Sequence, residues 1–270
     1  MTRSRLLSTV GVIVVAIGCG SGKPQSASAK TDARAQADAG APVQPADQMA
    51  NPASAASHGA GVIEALARLA GTAPSRAAVQ MSADPVCQQQ HTSPFLSEAV
   101  VVDDQNRLTN VFVYVKLGLS GTFTAPTTPV TLDQAGCWYH PRVFGIQANQ
   151  PLEIMNSDAT LHNVNAKPAL NQPFNIAQPV KGMKSTKKFT RPEVMVKFKC
   201  NVHPWMSAYA GVVDHPFFGV TDEHGAVTIA GLPAGTYTLE AWHEQYGTQT
   251  QTVTLAEGET TSIEWTFNDQ

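Results

Sequence analysis

Several things are missing from this 270-residue chain, and each absence narrows what it can be. There is no excess of positive charge: the formal net charge is −3, which points to no polyanionic partner and argues against nucleic-acid binding. No apolar run near the start is long enough to cross a bilayer, since Leu6 to Ile17 falls short of the length a spanning helix needs. Helical periodicity is almost absent, appearing only for two turns in Val62 to Leu69, and two turns alone are marginal in water. Lys and Arg are missing from Asp214 onward, where nine acids stand. By contrast, Lys181, Lys184, Lys187, Lys188, Arg191, Lys197 and Lys199 face the single acid Glu193 in their stretch. Finally, no second cysteine stands near Cys200, and no two histidines are spaced His-x-His.

What is present at the start reads as export. Arg3 and Arg5 precede the apolar run, and Gly18 stands before Cys19, so residues 1–19 are expected to be a signal peptide. The ending Ala16-Ile17-Gly18-Cys19 resembles a bacterial lipobox with alanine at its first position. That resemblance implies lipidation of Cys19, and Gly20 after it implies outer-membrane sorting within the periplasm or cell envelope. An ordinary secretory signal is the alternative. Residues 20–80 are rich in Ala, Ser, Gln and Pro, a composition that buries too little apolar surface to order itself, and are expected to form a disordered tether.

Export bears on the other cysteines, because disulfides persist in an oxidising periplasm. With Cys19 assigned to lipid and Cys200 to metal, Cys87 and Cys137 remain as a candidate disulfide. Such a bridge would close a loop that stabilises by about 3 to 4 kcal/mol in the chain-entropy account. A competing arrangement places Asp84, Cys87 and His91 around a second metal, although that spacing matches no common site.

After Cys87 the texture becomes β. Ala99 to Asp103 and Asn110 to Leu117 are rich in β-branched and aromatic residues, and Asp104-Gln105-Asn106 between them supplies turn chemistry, so the pair reads as a hairpin. Short strands follow at Val130 to Leu132, Val143 to Ala148, Leu152 to Met155, Val194 to Phe198 and Ala208 to Val213. Many short strands with few helical patterns predict an all-β chain built of sandwiches. From Phe217 on, Asp222-Glu223-His224-Gly225 and Leu232-Pro233-Ala234-Gly235-Thr236-Tyr237 mark turns between further strands. These residues resemble the carboxypeptidase regulatory-like domain, a small transthyretin-like β-sandwich. Residues 215–270 are therefore expected to hold that sandwich, with 97–118 resembling its opening hairpin. The segment 119–214 is then either inserted between these two parts or one of two tandem domains.

Within that segment, Cys200-Asn201-Val202-His203-Pro204-Trp205-Met206 puts a thiolate, an imidazole and a thioether into seven residues. A cysteine with two histidines and a weak axial methionine is the ligand set of a mononuclear blue-copper site. The second histidine has a candidate in His162, which follows the strand Leu152 to Met155 and the turn Asn156-Ser157-Asp158. With His-Asn-Val at 162–164, these motifs resemble the cupredoxins, and amicyanin-type members in particular, over roughly Pro129 to Asp214. The resemblance implies a Greek-key sandwich holding one type 1 copper on His162, Cys200, His203 and Met206. Asn163, next to the first histidine, is expected either to hydrogen-bond the cysteine loop or to cap a turn, and His203 is expected at a solvent edge rimmed by Pro204 and Trp205.

The absences noted at the outset now exclude neighbours. Without a second cysteine beside Cys200 a dinuclear CuA centre is ruled out, and without a His-x-His pair so is a trinuclear oxidase cluster. The expected function is a membrane-tethered one-electron carrier and not an enzyme, serving redox partners in the cell envelope. An acidic docking face on such a partner would match the basic run 181–199. The alternative is a copper-buffering or copper-sensing surface protein with a structural, adhesive sandwich. His140, His215, His224 and His243 have no motif tying them to a metal.

Overall fold

A computed structural model describes residues 59–268. The expected signal segment 1–19 with Cys19, and the part of the expected tether as far as residue 58, lie outside the described residues. Among the described residues no helix is long and apolar enough to cross a membrane. They form two β-sandwiches.

The first is built from strands at both ends of the described chain: β1 (Gly61–Leu69) and β2 (Phe112–Leu117), then β12 (Phe218–Val220), β13 (Ala226–Leu232), β14 (Gly235–His243), β15 (Gly247–Leu255) and β16 (Thr260–Phe267). One sheet runs β13-β1-β16 and the other β12-β2-β14-β15. Their facing side chains, among them Ile63, Val113, Leu239, Trp265 and Phe267, make one core. Alternate residues of each strand point inward, which is how a strand with one buried face must be patterned.

The second sandwich lies between β2 and β12 in sequence. It comprises β3 (Val130–Ala135), β4 (Trp138–His140), β5 (Val143–Gln147), β6 (Leu152–Asn156), β7 (His162–Ala166), β8 (Phe174–Gln178), β9 (Lys184–Lys187), β10 (Glu193–Lys199) and β11 (Ser207–Val213). Its sheets are ordered β5-β11-β10-β7-β8 and β4-β3-β6-β9, with Leu132, Ile154, Val164, Phe189 and Phe198 between them. The strands that precede and follow it, β2 and β12, are hydrogen-bonded neighbours, so the nine strands are inserted between two adjacent strands of the first sandwich.

Several contacts join the sandwiches, Tyr209 of β11 on Trp242 of β14 among them. Phe112 and Phe218 of the first pack with Val143 and Val213 of the second. Their rings occupy space left by glycines: a Cβ on Gly211 would meet Phe112 at 2.2 Å and one on Gly145 would meet Phe218 at 2.2 Å. Arg142 also forms a two-pronged ion pair with Glu244, at 2.6 and 2.9 Å, with both side chains nearly buried.

Two expectations need correction. Gly61–Leu69 is neither tether nor helix but β1, antiparallel to β13 and parallel to β16 from Val62↔Thr260 to Leu69↔Phe267. Ile63, Ala65, Ala67 and Leu69 are buried two residues apart. In so short a run the apolar spacing satisfies both periods, and tertiary pairing with two strands decides for β. The tether thus reaches no further than residue 58 of its expected 80.

The hairpin at 97–118 is also different: Val102 and Leu108 form a single antiparallel bridge. Asp103 Oδ1 accepts from the N–H groups of Gln105 and Arg107, closing a tight turn, and Asn110 at φ 65° then redirects the chain. β2 pairs instead with β12 and β14, which offer more ladder than the expected partner could.

A short segment completes the described chain. α1 (Pro85–Gln89) is capped by Asp84 and anchored by a Cys87–Cys137 disulfide, with sulfurs 2.01 Å apart. Cys87, Cys137, Met81 and Trp138 make a small separate core.

Candidate metal centre

The centre lies where two loops of the second sandwich meet the segment around Asp84. The first loop carries His162. Asn156, at the end of β6, donates to the carbonyls of Thr160 (3.0 Å) and Gln178 (2.8 Å) and accepts from the Asp158 N–H (2.9 Å). This one buried amide shapes the turn 156–160 and sets His162 at the start of β7, fully buried.

Asp158 in turn accepts from the N–H groups of Gly136 (2.9 Å) and Cys137 (2.7 Å), which are both in the left-handed conformation and so point their amides together. Its Oδ2 also lies 2.8 Å from His162 Nε2. Burial pushes the Asp158 carboxyl up, but the hydrogen bonds from His162 and the two amides outweigh it and hold the group below the usual carboxylate range.

The second loop follows β10. Cys200 and Met206 close it through Cys200 N–H to Met206 O (3.2 Å) and Met206 N–H to His203 O (2.9 Å). Inside the loop the His203 N–H points at Cys200 Sγ (3.3 Å). Asn163 ties the first loop to the second: its Oδ1 accepts from the Asn201 N–H at 2.6 Å and lies 3.4 Å from Cys200 Sγ. Met206 is fully buried in the core that also contains Cys200. For Cys200, burial would raise the thiol pKa; His162 and the surrounding amides more than offset that and lower it, favouring thiolate.

The segment before α1 brings Asp84. Its Oδ2 lies 2.9 Å from His203 Nε2 and accepts from Thr160 Oγ1 (2.9 Å), while Oδ1 accepts from the Val86 N–H (2.8 Å). Burial alone would raise this carboxyl, and these bonds, that of His203 foremost, lower it.

Both histidines therefore present an outer nitrogen to a carboxylate. An ionised carboxylate only accepts, so each Nε2 carries the proton and donates. That leaves both Nδ1 atoms as acceptors, and they face one another at 2.9 Å. Two lone pairs do not approach so closely without positive charge between or on them. For His162, burial pulls the pKa down, but Asp158 and the Cys200 sulfur push it up to about 9. His203 goes the other way: burial lowers its pKa more than Asp84 raises it.

His162, Cys200 and His203 offer ligand atoms within 4.8 Å of one another, all buried. Two further groupings, Asp84 with Cys87 and His203, and Cys137 with Asp158 and His162, are equally compact. Each of those depends on a disulfide sulfur, which has no thiolate to give. Cys200 is the free cysteine among the described residues.

The structure departs from the sequence reading at the outer face. His203 is 2% exposed, not at an open edge, because Asp84 and the disulfide cover it. Trp205 is half-buried and donates its indole N–H to Cys137 O (3.0 Å), so only Pro204 of the expected rim stands exposed. Asp84, Cys87 and His91 do not converge: Cys87 is in the disulfide and His91 Nε2 lies 2.8 Å from Gly136 O. His140 and His224 are exposed, whereas His215 and His243 are buried in hydrogen bonds to backbone; none of the four joins a ligand cluster among the described residues.

Asp84 as the partner of His203 was missed because nothing local links residues so far apart. Asp158, four residues before His162, was readable as part of the Asn-Ser-Asp turn but not as the histidine's partner.

Residues 214–268 match the carboxypeptidase regulatory-like domain family. Among solved structures, the chain is similar to the copper-containing nitrite reductase NirK from Thermus scotoductus SA-01. That match has 22% identity and a TM-score of 0.28, and covers 35% of this chain and 24% of that one. It is also similar to a reduced variant of amicyanin, at 20% identity and TM-score 0.28, covering 31% of this chain and 81% of that one. A third similar structure is a purple cupredoxin from Nitrosopumilus maritimus, at 20% identity and TM-score 0.26, covering 30% and 97%. The chain spans about a quarter of the nitrite reductase. At these identities the likeness concerns fold alone. No curated protein matches the chain in sequence.

Proposed function

We propose that this chain is a type 1 copper protein acting as a one-electron carrier, with His162, Cys200 and His203 as equatorial ligands and Met206 as the weak axial one. One observation carries the reading: two imidazole Nδ1 atoms and a free cysteine sulfur converge in a buried site. A thiolate with two imidazoles and a thioether suits copper, whereas structural zinc takes four strong ligands. The facing Nδ1 atoms are satisfied either by a proton on His162 or by a cation bound between them.

Copper bound there would supply a one-electron couple. The chain's part is to fix its ligands. Asn163 and Asn156 pin the two ligand loops, Asp158 fixes the tautomer and direction of His162, and the surrounding core excludes water. Ligands held this firmly rearrange little between two oxidation states.

The test is direct. Adding Cu(II) to purified protein is expected to give an intense visible thiolate-to-copper band that disappears in Cys200→Ser; a colourless copper complex of the wild type sinks the reading.

A second reading, copper buffering or sensing, is favoured by one observation, that His203 is closed off from solvent. Reversible reduction at a defined potential supports the carrier, and copper that exchanges with chelator faster than it cycles supports the buffer. On either reading the protein works in the cell envelope, tethered through Cys19; on the carrier reading the basic stretch 181–199 steers acidic redox partners.

A further inference from the structure

We propose that Asp84 is a positioning residue of the metal centre: a cap strapped down by the Cys87–Cys137 disulfide delivers a carboxylate that holds the second histidine by its outer nitrogen. The proposal rests on the copper reading above, and goes beyond the ligand set by assigning the site a part that lies outside the sandwich that carries it.

The cap has its own means of staying in place. Arg76 donates to the carbonyls of Ser97 (2.7 Å) and Leu96 (3.1 Å), and Val79 N–H to Phe95 O (2.8 Å), which closes the segment on itself. It is fastened to the sandwich by the disulfide, by Phe95 against Trp138 (4.7 Å between ring centres), by the Trp138 indole on Glu98 (2.7 Å), by His91 Nε2 at Gly136 O (2.8 Å), and by the Asp84 contacts to Thr160 and His203. Thr160 lies in the loop that delivers His162, so one Asp84 oxygen touches both ligand loops.

Three consequences follow from chemistry. With its proton committed to Asp84, His203 Nε2 cannot turn inward, so Nδ1 stays aimed at the site. The cap closes the outer edge, so a histidine released from the metal has nowhere solvated to swing. And Asp84, with Asp158 and the Cys200 thiolate, surrounds the metal position with negative charge, which favours the doubly charged ion over the singly charged one.

The experiment compares full-length wild type with Asp84→Asn, Asp84→Ala and Asp84→Glu, taking Asp104→Asn in the exposed turn as a control. Two quantities are read: the copper midpoint potential, and the rate at which Cu(I) passes to a phenanthroline-disulfonate chelator. Asp84→Asn is expected to weaken the preference for Cu(II) over Cu(I) by about tenfold, a positive shift of about 59 mV for one electron. Asp84→Ala is expected to speed Cu(I) release at least tenfold. Asp84→Glu, which restores the charge, is expected to return the potential toward wild type, and Asp104→Asn to change nothing. The Cys87→Ser/Cys137→Ser double variant, which loosens the cap and keeps Asp84, is expected to speed release as Asp84→Ala does.

In copper-free protein, NMR is expected to show a slowly exchanging His203 Nε2 proton in the wild type that is lost in Asp84→Ala. Unchanged potential and unchanged release in both Asp84→Asn and Asp84→Ala overturn the proposal, even where the variants are less stable. A wild type without the thiolate-to-copper band overturns instead the copper reading beneath it, so the two failures are distinguishable.

Discussion

His243 makes the fold acid-sensitive by an amount that can be worked out. It is 1% exposed, on the last residue of β14, with its ring stacked on Tyr246 (5.0 Å between centres) and Nδ1 accepting from the Gln245 N–H. Burial, and after it the charge of Arg142, push its pKa down from 6.5 to about 4. The folded protein thus keeps His243 neutral over a range where the unfolded chain takes up a proton. Above about pH 6.5 neither state binds it, and the residue adds no pH dependence. Below that, stability falls as pH falls, and the loss is complete near pH 4. The difference of roughly 2.5 pH units at 1.36 kcal/mol each gives a loss of about 3 kcal/mol.

Urea unfolding followed by circular dichroism, at intervals from pH 7.5 to 4 and at equal metal content, measures it. His243→Asn keeps an acceptor for Gln245 but does not titrate. Its stability is expected to fall by about 3 kcal/mol less than wild type's across that range. Carboxylates such as Asp103, where desolvation pushes the pKa up but the combined hydrogen bonds and charge of Arg107 and the Gln105 amide bring it down, contribute equally to both proteins and cancel. Parallel stability curves would show that His243 is protonated in the fold and refute the reasoning.

Two further outcomes are expected. Phe112→Ala empties the space above Gly145 and Gly211 and is expected to cost roughly 3–5 kcal/mol. It should also split a single thermal transition into two in calorimetry, since the ring is shared by both sandwiches. Cys87→Ser/Cys137→Ser opens a loop of sequence separation 50 and is expected to lower stability by about 3 to 4 kcal/mol, read from urea midpoints.

How legible each part was depends on how local its cause is. Cys200, His203 and Met206 stand within one loop, and the turn residues Asn156 and Asp158 precede His162 directly, so their grouping can be read from spacing. The strand β1 cannot: Val-Ile-Glu-Ala-Leu-Ala-Arg-Leu fits both a helix and a strand, and its partners β13 and β16 are far along the chain. The cap is harder still. It has almost no periodic pattern, and a disulfide, two indoles and the carboxylates of Asp84 and Glu98 hold it, so its residues up to 80 read as linker by composition while contacts make the segment structure. The closed face over His203 was not legible because the one sign of order in its cover, Cys87 as a disulfide candidate, says nothing of where Asp84 would lie.

The parallel pairing of β1 with β16 also fixes the order in which the molecule can be completed. Val62 waits for Thr260, whereas every strand of the inserted sandwich lies between Val130 and Val213. As the chain emerges from its N-terminal end, the nine inserted strands are all available long before β16 is. The inserted sandwich is then the first to close, and the other is sealed around its two ends by β16, leaving β1 without its parallel neighbour until residues 260–267 have arrived.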